Sequence, residues 1–493
     1  MFILSDDQGE WAMGCSGNQE IITPNLDRMA KEGIRFKNFF CASPVCSPAR
    51  ASILTGAIPS RHGVLDWLCA GNLDTEKYPD IEEKRGKKEK DHSIMYLEGQ
   101  ETYIQYLAEA GYHCMHSGKW HLGASDHVPE GYAQWFALDG GGCPYYQPDF
   151  YENGRVVCED RYVTDVITDK AIQYLEERAG KEQPFYLGVH YTAPHSPWTE
   201  ENHPREYLEM YQDCPFESVP DMPIHCRQRE NHIIPKTEKE RREYLTGYYA
   251  SITAMDANIG RLIDALERIG KIEDTIIIFT SDNGNNMGHH GIWGKGNGTY
   301  PQNMYDSSVK VPFLMWNASW NDRHLHVNEN LYSHYDLFLT ILDIAEIPYP
   351  YKAHRIGHSF WDDVKQDLLR ETENEIVVCS EYASVRMLRT NRYKLILDYL
   401  TGEDYFYDLI NDPQEEHNQI YEENYAVVIN AMKKKLEQWF QFYGTEKNDG
   451  RKYFITGTGQ RDLCDQTGAF RTVLEMYWDK EVEKGKYESF NKQ

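Results

Sequence analysis

Short apolar segments alternate with amphipathic helical segments over about the first 350 residues of this 493-residue chain. This alternation predicts an α/β fold, in which a large, doubly wound, mixed or parallel sheet is flanked by helices. The segments predicted as strands are residues 2–4, 112–116, 185–190, 275–280 and 311–316. The segments predicted as helices are residues 23–31, 239–269 and 335–345.

The pattern changes after about residue 370. Closely spaced β-like runs are followed there by one helical pattern, which predicts a small antiparallel sheet with a helix. The strands are predicted at residues 375–380, 386–390, 393–397 and 405–409, and the helix at residues 425–442. Because a single core stops growing beyond about 250–300 residues, we expect two domains, at residues 1–370 and 371–493.

The charge of the chain disfavours several classes of partner. The 51 lysines and arginines are outnumbered by 78 aspartates and glutamates, so the formal net charge is -27. The electric field of a protein with this net charge repels polyanions, which argues against nucleic acid and anionic membrane surfaces as partners. No segment approaches the roughly 20 consecutive apolar residues of a membrane-spanning helix. An anionic ligand would therefore have to be bound in a local cationic pocket.

The 11 cysteines contain no CxxC pair and no regular spacing, which indicates reduced thiols. Neither a basic stretch nor a cleavable apolar segment precedes Asp6, so we expect a cytoplasmic protein. Two further stretches are rich in charge or proline. Residues 74–91 are expected to form an exposed excursion, and residues 200–240 are expected to form a long insertion.

Oxygen-bearing side chains follow two of the predicted strands. Asp6 and Asp7 come directly after the first strand, and Asp282 and Asn283 follow the strand at residues 275–280. In an open α/β sheet, ligands bind outside the carboxyl ends of the strands. Carboxylate and amide oxygens suit Ca²⁺ or Mg²⁺ better than zinc. The pattern favours a metal site, although either pair alone is equally compatible with an Asx turn.

The run CSPAR at residues 46–50 predicts the start of a helix. Ser47 would cap it, Pro48 would occupy its first turn, and the helix would end before Gly56. Cys46 would then lie just before a helix N-terminus, where an anion is favoured, and Arg50 would lie a turn away. The alternative is that Cys46 is a small buried apolar residue.

Cationic or titratable side chains follow three different strands. Lys119 and His121 follow the strand at residues 112–116, and an extended backbone would turn both to the same side. His195 follows the strand at residues 185–190, and Lys295 follows the turn after Asp282. Any one of these side chains alone could be an ordinary exposed residue. Together with Arg50 they predict a pocket that holds a tetrahedral oxyanion beside a metal ion.

At these residues the chain resembles the sulfatases, the formylglycine-dependent branch of the alkaline phosphatase superfamily. Residues 46–50 match their C-x-P-x-R signature, which alone is a weak signal. The other similar runs are SDDQG at 5–9, GKWHLG at 118–123, SDNG at 281–284, GIWGKG at 291–296, and two tail segments at 386–394 and 405–416. The resemblance covers most of the chain, least so residues 200–240 and the last 40 or so. It implies an alkaline-phosphatase-like fold, with the catalytic part in residues 1–370.

The resemblance also implies a cofactor and a nucleophile. In the family, a maturation enzyme oxidises the motif cysteine to formylglycine, and one hydroxyl of the hydrated aldehyde attacks sulfur. On this chain the modified residue would be Cys46. The residues implied as ligands of Ca²⁺, or of Mg²⁺ as the alternative ion, are Asp6, Asp7, Asp282 and Asn283.

The remaining site residues take their implied roles from the same family. Arg50 would steady the hydrate, while Lys119 and Lys295 would hold the sulfate oxygens. His195, with Lys295, would protonate the leaving alcohol as a general acid. His121 would take the proton of the second hydroxyl, so that sulfate leaves and the aldehyde is regenerated.

The substrate class is inferred from charge and from one loop. A net charge of -27 disfavours long polysulfated chains and favours small sulfated sugars or oligosaccharides. His62, Asp66 and Trp67 follow the predicted helix and offer groups that bind hydroxyls and sugar faces, so a carbohydrate sulfate is favoured over an aryl sulfate. For any one of these three residues alone, ordinary loop packing is the slightly better explanation. Residues 140–142 and 145–146 are further candidates for the mouth of the site.

Two other functions fit parts of the pattern. A phosphodiester or phosphonate ester hydrolase of the same superfamily can share the C-x-P-x-R signature. A non-catalytic protein that binds sulfated glycans would keep the pocket without maturation of Cys46. Relative release of sulfate and phosphate distinguishes the first, and the mass of the peptide that contains residue 46 distinguishes the second.

Overall fold

The computed structural model describes residues 1–78, 91–230, 232–320, 323–350, 352, 355–367, 375–381, 384–452 and 459–464. A ten-stranded sheet in the order β12-β2-β11-β8-β1-β7-β3-β4-β5-β6 organises the first part of the chain. Its strands are β1 (Phe2–Ser5), β2 (Ile34–Phe40), β3 (His113–Lys119), β4 (Tyr132–Leu138), β5 (Asp149–Glu152), β6 (Arg155–Cys158), β7 (Phe185–His190), β8 (Ile277–Ser281), β11 (Phe313–Trp316) and β12 (Val327–Ser333). A separate two-stranded ribbon joins β9 (Asn286–Met287) and β10 (Trp293–Gly294).

The sheet is mixed, as the alternation of segments predicts. Strands β8, β1, β7, β3 and β4 run parallel to one another in its centre. Strand β11 is antiparallel to both of its neighbours, and β5 and β6 form an antiparallel hairpin at one edge. The carboxyl ends of the central strands therefore lie along one edge of the sheet.

Helices cover both faces of this sheet, which confirms the doubly wound arrangement. The helices are α1 (Pro24–Glu32), α2 (Cys46–Thr55), α3 (Pro59–His62), α4 (Tyr103–Glu109), α5 (Val163–Glu176), α6 (Arg205–Glu209), α7 (Glu238–Arg268), α8 (Asp306–Val309), α9 (Leu337–Ile344), α10 (Trp361–Gln366) and α11 (Ala426–Tyr443). Phe2 and Leu4 of β1 belong to the core that includes α2, α4 and α9. Ile3, between them, belongs to the opposite core with α1, α5 and α7.

A four-stranded antiparallel sheet and helix α11 form the C-terminal part, as predicted. The strands, in sheet order, are β13 (Ile376–Ser380), β14 (Val385–Arg389), β15 (Tyr393–Asp398) and β16 (Tyr405–Asp408). Apolar residues of α11 pack on this sheet, and Ala42 and Ile58 of the first part complete the same cluster. None of the described helices is long and apolar enough to cross a membrane.

Several predicted segments differ from the structure. Strand β3 continues to Lys119, so Lys119 is its last residue and does not lie in the loop after it. The expected insertion at residues 200–240 holds short helical turns and then irregular chain until α7 begins. Residues 79–90, the greater part of the predicted exposed excursion, lie outside the described residues.

A buried ionic cluster joins the C-terminal sheet to helix α8 of the first part of the chain. Lys394 of β15 is fully buried, and its Nζ lies 2.9 Å from Asp306 Oδ1 and 2.5 Å from Glu415 Oε1. The backbone N–H of Asp306 donates to Glu415 Oε2 at 2.6 Å. Burial opposes ionisation of Asp306, but the charges of Arg389 and Lys394 outweigh it and lower the pKa of this carboxyl.

Replacement of Lys394 by methionine is expected to lower the free energy of unfolding by about 3–5 kcal/mol, because the buried carboxylate of Glu415 and the partly buried carboxylate of Asp306 lose their shared cation. The measurement is the change in the urea or thermal midpoint. Lys433→Met is the control, since Lys433 pairs with Asp404 at 2.7 Å but is 37% exposed, and a change below about 1 kcal/mol is expected there. Equal effects of the two substitutions would contradict a stabilising role of the buried cluster.

Candidate active site

The side chains predicted to carry chemistry converge at the carboxyl edge of the central strands. Asp6 and Asp7 follow β1, Asp282 and Asn283 follow β8, and Lys119 ends β3. These three strands and β7 are neighbours in the sheet and run parallel. The strand order therefore brings together residues that are more than a hundred positions apart in sequence.

Three carboxylates form the floor of the site. Asp6, Asp7 and Asp282 each offer an oxygen within 4.8 Å of the others, and all three are buried. Asp6 Oδ1 and Asn283 Oδ1 are buried with no hydrogen-bond partner among the described residues. Two orphaned oxygens beside clustered carboxylates form the hard-oxygen donor set that suits Ca²⁺ or Mg²⁺. The described residues thus fit the predicted ion.

Cations surround these carboxylates. Arg50 Nε donates to Asp282 Oδ2 at 2.8 Å, and its Nη1 donates to the carbonyl oxygen of Lys119 at 3.0 Å. Lys119 Nζ donates to Asp6 Oδ2. Burial alone would raise the pKa of Asp6, but the charges of Lys119 and then His195 outweigh burial and lower it. Asp6 therefore stays ionised at neutral pH.

Lys295 links the carboxylate floor to Cys46. Its Nζ lies 2.7 Å from Asp7 Oδ1 and 2.5 Å from Cys46 Sγ. Asn283 Nδ2 donates to the same Asp7 oxygen at 2.8 Å. Burial would raise the pKa of Asp7, but Lys295 and His195 lower it below its usual value. Lys295 remains protonated because the charge of Asp7, together with those of Asp6 and Asp282, overcomes its desolvation and raises its pKa.

The sequence prediction places the start of helix α2 wrongly. Val45 is the N-cap, in an extended conformation, and its carbonyl oxygen accepts the N–H of Ala49 at 3.1 Å. Ser47 is therefore inside the first turn, where its Oγ accepts the backbone N–H of Leu68 at 3.1 Å. Cys46 is the first helical residue, so its side chain still lies at the positive end of the helix dipole.

The Cys46 thiol is poorly suited to act as a nucleophile itself. Burial raises its pKa to about 12, despite the opposing charges of Lys119 and Lys295. A thiol with this pKa stays protonated at neutral pH, and the thiolate is the reactive form. Residue 46 therefore lies among the candidate catalytic groups, but its unmodified thiol is unreactive.

His121 lies beneath a glycine loop and not on an extended strand. Its φ of 55° is left-handed, so the predicted same-side placement with Lys119 does not follow from strand geometry. Its Nε2 donates to the carbonyl oxygen of Leu68 at 3.1 Å, and its Nδ1 has no partner among the described residues. Burial, with the charges of Lys119 and Arg50, lowers the pKa of His121 well below the usual value. Its Nδ1 is therefore available as a proton acceptor.

His195 faces the same floor from the loop after β7. Its Nδ1 donates to the carbonyl oxygen of Ser196 at 2.7 Å, which leaves Nε2 directed toward Asp7 Oδ2 at 3.7 Å. The hydroxyl of Tyr145 donates to the carbonyl oxygen of His195 at 2.8 Å and holds this loop. The His195 side chain is 25% exposed, so it can reach a ligand in the cavity.

A cavity of about 1090 Å³ opens above these groups. Of the three predicted substrate contacts, Trp67 lines it. His62 is 2% exposed and is bonded to Ser52 Oγ at 3.1 Å and to the N–H of Val64 at 3.2 Å. Asp66 is fully buried, and its Oδ1 accepts the N–H of Trp67 at 2.6 Å. His62 and Asp66 were predicted to contact the substrate, but neither lines the cavity. Their hydrogen bonds to neighbouring residues stabilise the loop instead.

Other groups in the cavity carry no prediction from sequence. Asn72, Asn285 and Asn297 line it, are at most 7% exposed, and each has a buried Oδ1 without a hydrogen-bond partner among the described residues. Arg229 and His232 line it from the segment predicted as an insertion. The glycine turn at residues 140–142 lines the cavity as predicted. The three asparagines could not be predicted, because they belong to no motif with a characteristic spacing.

Replacement of Gly141 by alanine is expected to lower kcat at least about tenfold, because the added Cβ would lie 2.1 Å from His121 Nε2 and must displace this ring. The measurement is steady-state turnover at saturating substrate. The neighbouring Gly142→Ala is the control, since its Cβ would meet His195 only at an ordinary 3.5 Å. Equal loss in both variants would show that the loop, and not His121, is perturbed.

Comparisons with known proteins agree with this site. The profile of the family described as Sulfatase matches residues 1–347, and that of the N-sulphoglucosamine sulphohydrolase C-terminal family matches residues 288–441. An N-acetylglucosamine-6-O-sulfatase of Bacteroides thetaiotaomicron is 27% identical over 94% of this chain and 90% of that protein. An ulvan-active sulfatase of Formosa agariphila is 28% identical over 92% of this chain and 83% of that protein. A structure solved in complex with its substrate D-glucosamine-2-N,6-O-disulfate is 26% identical, with a TM-score of 0.73, over 92% of this chain and 99% of that chain.

Proposed function

This chain belongs to the sulfatase family and is a sulfuric ester hydrolase, and on that premise we propose that its substrate is a sulfated sugar or oligosaccharide. The cavity carries this proposal, because three buried amide oxygens without partners line it. Such acceptors favour a ligand that brings several hydroxyl or N–H donors, which a sugar does and a simple aryl sulfate does not. The relatives named above act on sulfated carbohydrates, which supports the same choice.

We propose that Cys46 is matured to formylglycine by a separate maturation enzyme. The high pKa of the buried thiol supports this proposal, because an unmodified residue 46 would stay protonated and inert. The hydrated aldehyde would supply a hydroxyl to attack sulfur and a second hydroxyl whose deprotonation releases sulfate. Arg50, held by Asp282 at 2.8 Å, would fix the orientation of residue 46.

The residues Asp6, Asp7, Asp282 and Asn283 are proposed to hold Ca²⁺. The three carboxylates are matched by three cations, Arg50, Lys119 and Lys295, so the site as described is close to neutral. A bound divalent ion would add the positive charge that draws electron density from an anionic sulfate ester. Mg²⁺ is less suited, since it demands near-ideal octahedral geometry.

The cations and imidazoles of the site have distinct proposed roles. Lys295 and Lys119 would hold sulfate oxygens, because both ammonium groups lie at the floor beside residue 46. His195 Nε2 faces Asp7 and is exposed to the cavity, so it would protonate the leaving alcohol. His121 is neutral with an unpartnered Nδ1, so it would accept the proton of the second hydroxyl of residue 46.

Removal of the ion is expected to lower sulfate release at least about a hundredfold, because a bound ion stabilises charge that develops in the transition state. The measurement is turnover after exhaustive chelation and dialysis, followed by titration with Ca²⁺ and, separately, Mg²⁺. Recovery with Ca²⁺ at lower concentration than with Mg²⁺ is the expected result. Turnover that is indifferent to thorough chelation would contradict the oxygen-rich metal site.

The test of the proposed function is sulfate release from sulfated mono- and disaccharides, an aryl sulfate and matched phosphate esters. The protein is produced together with a maturation enzyme. Release of sulfate from one sugar, faster than from the aryl sulfate, is the expected result. Faster release of phosphate would assign a phosphoester hydrolase. Binding of a sulfated sugar without turnover by fully converted protein would assign a binding protein.

A further inference from the structure

One wall of the cavity belongs to the segment predicted as an insertion, shortly before helix α7 begins. Arg229, His232 and Ile233 line the cavity from this wall. Among the described residues that line the cavity, Arg229 and Lys295 are the lysine and arginine side chains. Lys295 belongs to the catalytic floor. Arg229 therefore brings a positive charge to the part of the cavity outside that floor.

The wall is held firmly against the loop that carries Lys295. The backbone N–H of Arg229 donates to the carbonyl oxygen of Gly298 at 2.8 Å. The side chain of Gln228 accepts the N–H of Trp293 at 2.9 Å and donates to its carbonyl oxygen at 3.1 Å. The Arg229 guanidinium lies 5.9 Å from the ring centroid of Tyr300. A charge that is fixed in place before the ligand arrives loses less entropy on binding.

His232 lies against the loop that carries Lys295. A Cβ at Gly294, the residue before Lys295, would lie 3.0 Å from His232 Nδ1, so glycine leaves room for this ring. Burial, with the charges of Arg229 and Lys295, lowers the pKa of His232 to about 4. His232 is therefore neutral at pH 7, and the positive charge of this wall comes from Arg229.

The loop at residues 139–149 contributes negative charge to the lining of the cavity. Asp139 and Asp149 line the cavity there, together with the glycine turn that covers His121. Carboxylates repel a ligand anion, whereas a guanidinium binds sulfate or carboxylate with two parallel hydrogen bonds. The wall formed by Arg229, His232 and Ile233 is thus the part of the cavity suited to a second anion.

We propose that Arg229 binds a second anionic group, a sulfate or a carboxylate, of the sugar substrate whose sulfate ester is cleaved at residue 46. This inference rests on the proposed function. It predicts a preference for sugars with two anionic groups over the same sugars with one. Because Arg229 would contact the second anionic group and not the reacting sulfate ester, it is a specificity-determining residue and not a catalytic one.

The test compares substrate pairs for Arg229→Gln, Arg229→Lys and the parent enzyme, each with its conversion at residue 46 measured. The substrates are the most active monosulfated sugar and the same sugar with a second sulfate at each other ring position. Arg205→Gln is the control, because Arg205 belongs to the same segment but is 89% exposed. It removes the same charge away from the cavity.

At least one disulfated isomer should be preferred by the parent enzyme about tenfold or more in kcat/KM. Arg229→Gln should abolish this preference, because it should lower kcat/KM for the disulfated sugar about tenfold more than for the monosulfated sugar, and Arg229→Lys should retain part of the preference. Arg205→Gln should change neither value. Absence of any preference in the parent enzyme, or an equal loss for both substrates in Arg229→Gln, would overturn the inference but leave the proposed function intact. No sulfate release from any sugar would instead overturn the proposed function.

Discussion

Replacement of Cys46 by alanine or serine is expected to abolish sulfate release, with a loss on the order of 10⁴-fold or more. Alanine removes the nucleophile. Serine offers one hydroxyl, so it lacks the second hydroxyl that lets a sulfated intermediate collapse without attack of water on sulfur. The measurement is sulfate release at saturating substrate over hours, with the protein concentration raised to detect residual turnover.

Two controls separate this chemistry from damage to the fold. Cys158 is exposed on β6, so Cys158→Ala should keep parental turnover. Thermal unfolding of Cys46→Ser should stay close to that of the unmodified parent, since serine preserves the shape of the side chain at the helix start. Turnover near the parental value in either Cys46 variant would refute the proposed nucleophile.

Replacement of Lys295 by alanine is expected to lower kcat by about 10²–10³-fold. The ammonium group lies 2.5 Å from Cys46 Sγ and 2.7 Å from Asp7 Oδ1. Its loss would remove both a contact to the sulfate and the charge that keeps Asp7 ionised beside the nucleophile. KM should rise as well, because the same group binds the sulfate in the ground state. The measurement is a full steady-state profile of enzyme with verified conversion at residue 46.

Lys310→Ala is the matched control for Lys295→Ala. Lys310 pairs with Glu10 at 3.6 Å and is partly exposed, outside the cavity. Its removal changes the net charge equally but should leave kcat within about twofold. If both variants lost activity alike, the effect would be one of overall charge, and the specific role of Lys295 would be wrong.

The strand-end rule explains why much of the site could be predicted from the sequence. Asp6 and Asp282 each follow an apolar run that is recognisable as a strand, and parallel neighbours present such positions at one edge. The C-terminal strands were predictable because their runs are short, β-rich and closely spaced. Each of these strands can be recognised from its own short stretch of sequence, without knowing which strands become its neighbours in the sheet.

Features that depend on long-range contacts could not be predicted in this way. The strand β2 contains Lys37 and Asn38 among its apolar residues and becomes a strand only because β11 and β12 pair with it. Serine is a residue type that often caps helix N-termini, but the hydroxyl of Ser47 instead accepts a hydrogen bond from the backbone N–H of Leu68. Arg229 reaches the cavity because the segment around it pairs with residues near 299. No periodicity in residues 200–240 indicates this contact.

The most direct test of the proposed formylglycine nucleophile relates sulfate release to the chemical state of residue 46. Conversion of Cys46 to formylglycine lowers the mass of its peptide by about 18 Da. Preparations with graded conversion are obtained by varying co-expression of the maturation enzyme. Sulfate release from the preferred sugar should be proportional to the converted fraction and should extrapolate to zero for the unconverted protein. Equal turnover by preparations with low and high conversion would show that formylglycine at residue 46 is not the nucleophile.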